Sequence, residues 1–301
     1  MVFLNGRKIV DETVLKFAAI PRKRFGSKRD NGSVVIIGGS SAYHGAPVLA
    51  SLSVSHSLAA LRIGIGYAVL YVPKSILNVA RKLSPNVIIR QFGIDNIGEG
   101  SLRDVYESIE KADVIIIGTG IGRKKSSLNS SARIIDYAIA HDKKVVVDAD
   151  AIYSVKFLKK TSPKMIMTPQ KYEFEELSGR IPEDEDNMKG RIADAENAAM
   201  RLGCCILLKG HNTIVTDGKE TSIIRSHHST LATMGTGDVL SGMIGGYAAS
   251  GADIFSSGIA GAYLHAKIGD KLYAKKGNHI LASDVVDSIP EIIKKYDKEI
   301  D

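Results

Sequence analysis

Short, unbroken apolar runs recur along the chain and alternate with longer segments of helical character. Val34–Ile37, Tyr67–Val72, Val87–Arg90, Val114–Ile117, Val145–Val147, Met165–Met167 and Ile206–Leu208 are each about one strand long, and most are apolar throughout. A strand apolar at successive residues has no face to show to water, so it must be covered on both sides. The segments between supply that cover. Ala46–Ile63, Ser75–Leu83, Ser126–His141, Ile152–Lys159, Asn187–Leu202, Gly237–Ser250 and Ile254–Tyr273 read as helices. Such alternation predicts an α/β fold with a mostly parallel central sheet. No internal repeat, low-complexity tract or linker interrupts it. The expected organisation is a domain over 27–301, preceded by an extension over 1–26 that reads as a helix packed on the body.

Composition narrows the function classes. A chain of 301 residues, 44% hydrophobic and 24% charged, is long enough to bury a sizeable core. A net charge of +7 raises nucleic-acid binding, but aromatics make up only 6% and no nucleic-acid motif is present. The charge reads better as a basic surface or a site for a small anion. Arg22, Lys23, Arg24, Lys28 and Arg29 form the densest basic run, a solvated loop with phosphate contact as the alternative. Cys204 and Cys205 are adjacent within an apolar run, a spacing that suits neither a disulfide framework nor zinc. They read as buried strand residues, in keeping with a reducing cytoplasm. Met1–Lys8 lacks a signal-peptide apolar region, and no apolar run is long enough to span a bilayer. The expected location is cytoplasmic, with no nucleic acid or membrane as partner.

In an open parallel sheet, ligands sit at the carboxyl ends of the strands, where loops meet helix N-termini. The strongest loop there is Ser229-Thr230-Leu231-Ala232-Thr233-Met234-Gly235-Thr236-Gly237-Asp238, which opens a helix. Two glycines allow a tight turn whose amides, with the helix dipole, favour a phosphate. Asp238 in the first helical turn is either a cap stabilised by the dipole or a base. As a base, it would take a hydroxyl proton while that oxygen attacks phosphorus. Lys209-Gly210-His211-Asn212-Thr213 follows a strand and offers a glycine turn with polar groups, or else an ordinary hairpin turn with a surface lysine. Gln170 and Glu173 follow another strand at the spacing of a helix-start capping pair. The functional alternative has Gln170 facing substrate and Glu173 ordering Mg²⁺-bound water.

Three further loops follow strands. Gly118-Thr119-Gly120-Ile121-Gly122 is a partial glycine fingerprint or a plain tight turn. Gly38–Ala46, which contains His44 and Gly45, can line a pocket. Asp148 and Asp150 invite a metal or sugar reading, or a helix cap. His227 and His228 have no partners at metal-ligand spacing and read as loop residues.

Taken in order, Ile36-Ile37-Gly38-Gly39-Ser40 with Gly45-Ala46, Ile115–Gly120, Val147–Ala151, Leu207–Gly210 with Thr213, and Gly235–Gly242 resemble the ADP/ATP-dependent NAD(P)H-hydrate dehydratases. This family is carbohydrate-kinase-like and belongs to the ribokinase-like superfamily. The resemblance runs from about Asn31 to Tyr296 and is sharpened by Thr168-Pro169 and Glu173-Phe174. It implies a ribokinase-like three-layer α/β/α sandwich. It also implies repair of NADH or NADPH that has gained water at C6 of the nicotinamide ring. Phosphorylation of the new hydroxyl, on the S-epimer, makes it a leaving group. The ring double bond returns with release of phosphate, plus AMP from ADP or ADP from ATP.

By the same resemblance, Asp238 would activate the hydroxyl, and Ala46, Gly120 and Gln170 would line the hydrate site. Lys209–Thr213 and Ser229–Gly237 would hold the adenine nucleotide, with Mg²⁺ bridging its phosphates. A homo-oligomer, favouring a tetramer, is expected. Many relatives carry His where this chain has Gln170, which cannot exchange a proton near neutral pH. Many also fuse an N-terminal epimerase domain; with so few residues before the first strand, the epimerase is expected to be a separate protein. The alternatives are a small-molecule kinase of the same superfamily, such as a vitamin-precursor kinase, and a nucleotide-binding regulator without catalysis.

Overall fold

The computed structural model describes residues 2–4, 6–40, 46–98 and 102–301, with backbone only at 2, 3 and 46–54. The chain begins β1 (Val2–Leu4), β2 (Arg7–Ile9), α1 (Thr13–Ala18), β3 (Arg22–Lys23), β4 (Ser33–Ile37), α2 (Ala46–Ile63), β5 (Tyr67–Val72), α3 (Lys74–Leu83) and β6 (Ile88–Gln91). It continues α4 (Arg103–Lys111), β7 (Val114–Ile117), α5 (Lys125–Ala140), β8 (Lys144–Val147), β9 (Met165–Met167), α6 (Lys171–Ser178), α7 (Met188–Leu202) and β10 (Cys205–Leu208). It closes β11 (Asn212–Thr216), β12 (Thr221–Arg225), α8 (Thr236–Ala249), α9 (Ile254–Lys276), α10 (Ala282–Ile293) and β13 (Glu299–Ile300).

Among the described residues, eleven strands form one sheet in the order β1-β2-β12-β11-β10-β9-β8-β7-β4-β5-β6, while β3 pairs with β13 in a separate ribbon. The stretch from β10 through β6 is parallel. Alternate residues of the same strand enter different cores. Val35, Ile37, Ile115, Ile117, Val145 and Val147 pack with residues of α4, α5 and α7. Val34, Ile36, Val114, Ile116 and Val146 pack with residues of α2, α8 and α9 on the other face. This is why the strands are apolar at every position. The three layers are an α/β/α sandwich, the class expected of a ribokinase-like chain. Among the described residues, no helix is long and apolar enough to cross a membrane.

The sequence-predicted elements fall within a residue or two of their observed ends, except that the helix expected over Ile254–Tyr273 runs on to Lys276 and one element changes type. The helix expected over Ile152–Lys159 is a 3₁₀ helix over Ala149–Phe157. It starts from Ala149 at a left-handed φ of 47°, and Ala151 N–H bonds back to Asp148 C=O, so the chain tightens before an α-turn can form. The β11–β12 hairpin, closed over Asp217-Gly218, and the hairpin β1–β2 were not singled out by periodicity. Their strands are short and mix polar with apolar residues. Residues before 27 contribute this edge hairpin as well as α1, whose Leu15 and Ala18 are buried. Cys204 and Cys205 are free and buried on opposite faces of the sheet, and burial pushes the Cys205 thiol up to about 12.

The strand order reverses between β4 and β7: β5 and β6 extend one way, β8 to β10 the other. A crevice opens at the carboxyl ends on either side of such a switch point. The loops after β7, β8, β9 and β10 and the start of α8 meet there.

Candidate active site

A cavity of about 780 Å³ occupies this edge. Of the sequence-predicted residues, Gln170, Glu173, Lys209, Gly210, His211, Thr213, Ser229, Leu231, Ala232, Thr233 and Met234 line it, together with Gly235, Thr236, Gly237 and Asp238. Asn212 and Thr230 are not among the lining residues. The Asn212 amide donates to Glu185 at 3.1 Å, and the buried Thr230 hydroxyl pairs with Asn278 at 3.1 Å. Gly120 lies in the turn after β7, and Ala46 begins α2 with its side chain undescribed. His44 and Gly45 lie outside the described residues.

The turn before α8 is built by Gly235 at φ 88°, a left-handed conformation that a side chain would strain. It aims the first amides of α8 into the cavity, where orphan N–H groups and the dipole attract an anion. Lys209 reaches the same place: a Cβ on Gly237 would stand 3.6 Å from its Nζ. The lysine is thus largely buried against the turn instead of lying on the surface.

Asp148 is the centre of the polar network. Its Oδ1 accepts from Lys209 Nζ at 2.7 Å and from Thr168 Oγ1 at 2.6 Å; its Oδ2 accepts from Ser241 Oγ at 2.6 Å. Burial works to raise its pKa, but the ammonium and these donors outweigh burial and hold it below the ordinary carboxylate range. Lys209 in turn is held above its ordinary value: burial opposes this, and Asp148 with Glu173 prevails. The Asp148 side chain makes no helix-cap hydrogen bond, and it anchors a lysine, a role the sequence alternatives did not include.

Asp238 has a different setting. Its Oδ1 accepts from Thr119 Oγ1 at 2.6 Å, and the buried His56 stands behind it, with Nδ1 at 3.8 Å. Burial raises its pKa; Asp148 adds to the rise, while His56, Thr119 and Lys209 restrain it. Two carboxylates are thereby driven apart, one kept ionised and one moved toward neutrality, the arrangement that separates a structural anion from a proton acceptor.

His56, Asp148 and Asp238 each bring one ligand atom within 4.8 Å of the others. The Lys209 ammonium and three hydroxyls already use both Asp148 oxygens and Oδ1 of Asp238. Glu173 caps α6, accepting from Gln170 N–H at 2.8 Å, and burial raises its pKa. The capping role and a position on the cavity wall therefore coexist.

The sequence profile described as NAD(P)H-hydrate dehydratase matches residues 34–291. The chain belongs to the NAD(P)H-hydrate dehydratase family. It is 30% identical over 297 residues to the ADP-dependent (S)-NAD(P)H-hydrate dehydratase of Cenarchaeum symbiosum, covering 98% of this chain and 99% of that one. It is 31% identical over 276 residues to the bifunctional NAD(P)H-hydrate repair enzyme of Methanothermobacter thermautotrophicus, covering 91% of this chain and 52% of the relative. The chain spans about half the length of such bifunctional curated relatives. Among solved structures, the ADP/ATP-dependent NAD(P)H-hydrate dehydratase of Bacillus subtilis co-crystallized with ATP/Mg²⁺ is similar, with TM-score 0.75 at 22% identity, covering 98% of this chain and 100% of that one. A ribokinase-like superfamily protein of Enterococcus faecalis gives TM-score 0.81 at 24% identity over 99% of both chains. These likenesses show the ribokinase-like fold.

For this NAD(P)H-hydrate dehydratase family member, sequence reasoning missed the partners that tune the two carboxylates. Thr119, Thr168 and Ser241 all stand inside motifs read for their other residues. His56 had one faint signal, an ionisable residue in the middle of an otherwise apolar helix.

Proposed function

We propose that the chain catalyses nucleotide-dependent dehydration of the S-epimer of NAD(P)H hydrate. Phosphate is released together with AMP from ADP or ADP from ATP. The observation that carries this reading is the placement of Asp238, its pKa raised by burial, near the Lys209 ammonium at the glycine turn of α8. Asp238 takes the proton of the C6 hydroxyl as that oxygen attacks the terminal phosphorus and the anhydride P–O bond breaks. Lys209 and the α8 amides face the charge that develops on the phosphoryl oxygens. Electrons from the ring nitrogen then expel phosphate from C6, and loss of the C5 proton restores the double bond.

The long cavity between Lys209–Thr213 and Ser229–Gly237 supports binding of an adenine nucleotide on the β11–β12 side, with Gln170 and Gly120 toward the hydrate. Glu173 is a hard oxygen donor on the cavity wall and fits a magnesium ion held through water. Bound there, magnesium would neutralise phosphate charge. The test is incubation of the protein with hydrated NADH or NADPH and ADP or ATP, following the return of reduced-nicotinamide absorbance. Recovery that requires nucleotide and Mg²⁺ is expected. Recovery without nucleotide, or none with either nucleotide, overturns the reading; a stable phosphorylated product without recovery assigns a kinase instead.

A further inference from the structure

The segment Lys209–Thr213 has an uneven set of backbone groups left for a ligand. Its first three carbonyls are occupied: Arg191 Nη2 donates to Lys209 C=O at 2.8 Å, Thr213 Oγ1 to Gly210 C=O at 3.2 Å, and Ser226 N–H to His211 C=O at 3.0 Å. The N–H groups of Gly210 and His211 have no partner among the described residues, and both residues line the cavity. Successive backbone N–H groups without competing acceptors suit an anion.

Two residues outside the cavity build this arrangement. Arg191, on α7, is buried, and its Nη1 also donates to Glu183 C=O at 3.2 Å. Glu185 lies in the acidic segment between α6 and α7. Its Oε2 accepts from Asn212 N–H at 3.3 Å and from Asn212 Nδ2 at 3.1 Å. The acidic segment is itself fixed: Glu183 N–H donates to the buried Asp194 at 2.9 Å, and Lys171 pairs with Asp184. Neither Arg191 nor Glu185 lines the cavity. Both press on Gly210, where a Cβ would stand 2.2 Å from Glu185 Oε1 and 2.5 Å from Arg191 Nη2, so only glycine fits beneath them.

The two charges do not satisfy each other. Arg191 Nε and Glu185 Oε1 are 3.7 Å apart, and both atoms are buried without a hydrogen-bond partner. Leaving buried charged atoms short of a hydrogen bond costs stability. The remaining polar atoms of both groups are engaged with backbone on either side, and those contacts fix the 3.7 Å gap. The geometry points to Arg191 and Glu185 as positioning residues for the nucleotide. They form a clamp that draws the Lys209 carbonyl and the Asn212 amide away from the cavity and leaves the Gly210 and His211 amides for the nucleotide's anionic groups. The clamp sets binding and not chemistry, because Lys209 keeps two other anchors without it: its N–H on Pro169 C=O at 2.9 Å and its Nζ on Asp148 at 2.7 Å.

This inference rests on the proposed reading that a nucleotide occupies the segment, and the experiment separates the two. Binding of ADP and ATP with Mg²⁺ to the full chain is measured by calorimetry, and turnover of hydrated NADH at saturating nucleotide is measured on the same samples. Absence of nucleotide binding to the wild-type protein sinks the nucleotide-dependent reading and the clamp with it. Wild type that binds nucleotide without restoring absorbance removes the dehydratase reading alone, and the binding comparison still decides the clamp. R191M and E185A are each expected to weaken nucleotide Kd by about 10-fold or more, the size of a lost hydrogen bond to a charged group. Their kcat should stay within about threefold of wild type, the signature of binding lost equally from ground and transition states. E185Q, which keeps an acceptor for Asn212, should bind nucleotide tighter than E185A. The double variant R191M/E185A should lose less than the product of the single effects, since both residues hold one segment. Unchanged Kd in R191M and E185A, a fall in kcat as large as the change in Kd, E185Q no tighter than E185A, or fully multiplicative losses in the double variant overturns the clamp. Should R191M fail to fold, the Glu185 variants, at a side chain 36% exposed, carry the test.

Discussion

Two ion pairs sit at opposite ends of the central sheet. At the amino ends of β2 and β12, Arg7 donates to both oxygens of Glu196, at 2.7 and 3.0 Å, and Thr221 adds its hydroxyl. At the carboxyl ends, Lys209 donates to Asp148 at 2.7 Å. The geometries are equally good. What differs is water: the Arg7 side chain is 42% exposed, whereas Lys209 is 17% and Asp148 2% exposed. The first pair ties an edge hairpin to α7 and can be lost cheaply. The second keeps two charges in a buried place, where mutual pairing and two hydroxyl donors hold them. A fold optimised for stability alone would not put them there, because an apolar pair of similar volume is often as good or better.

Removing one partner from each end sharpens the contrast. Lys209→Met strands a buried carboxylate and should lower unfolding free energy by about 3–5 kcal/mol in urea titration; the double variant Lys209→Met with Asp148→Asn should recover part of it. Next in size is an acid effect. His265, on the cavity wall, is pushed by burial from 6.5 down to about 4. Its contribution to stability is present above the unfolded value and is lost as pH falls through the folded one. Lowering pH from 7 to 4 should therefore withdraw on the order of 2–3 kcal/mol, and His265→Gln should flatten that part of the thermal-midpoint profile.

Asp238 has the opposite sign. A carboxyl raised in the folded state contributes stability below its unfolded pKa, and that contribution is lost as pH rises through the folded value. The ionised group thus burdens the fold at neutral pH. Asp238→Asn, whose carbonyl can still accept from Thr119, should melt higher than wild type at pH 7.5, with the gain vanishing toward pH 4. A lower midpoint at pH 7.5 contradicts the assignment. Smallest is Arg7→Ala, expected to cost about 0–1 kcal/mol and to leave turnover unchanged.

The same comparison explains what was legible in the sequence. Gly235–Asp238 is contiguous, so a glycine turn with a carboxylate in the first helical turn could be read directly. The apolar strands were legible because a strand buried on both faces has no polar positions to blur it. The Asp148 network was not, because its donors come from the loop after β9, the end of β10 and the second turn of α8. No local spacing records that convergence. Lys209 looked like either a surface lysine or a ligand residue, and only burial against Gly237 decides which. His56 shows the same limit: its meaning lies in standing 3.8 Å from Asp238, a residue far from it in sequence. The hairpins β1–β2 and β11–β12 were hidden for a different reason, since short strands that mix polar with apolar residues carry too few apolar positions to establish a period.

The central claim is that Asp238 removes the hydroxyl proton in a site whose anion-binding parts are independent of it. The most direct measurement is single-turnover phosphoryl transfer from ATP or ADP to hydrated NADH by wild type and Asp238→Asn, with nucleotide affinity measured on the same samples. Transfer by Asp238→Asn is expected to slow by about 10²–10⁴-fold, with nucleotide Kd within about threefold of wild type. Transfer at the wild-type rate, or a loss fully matched by weaker nucleotide binding, would contradict it.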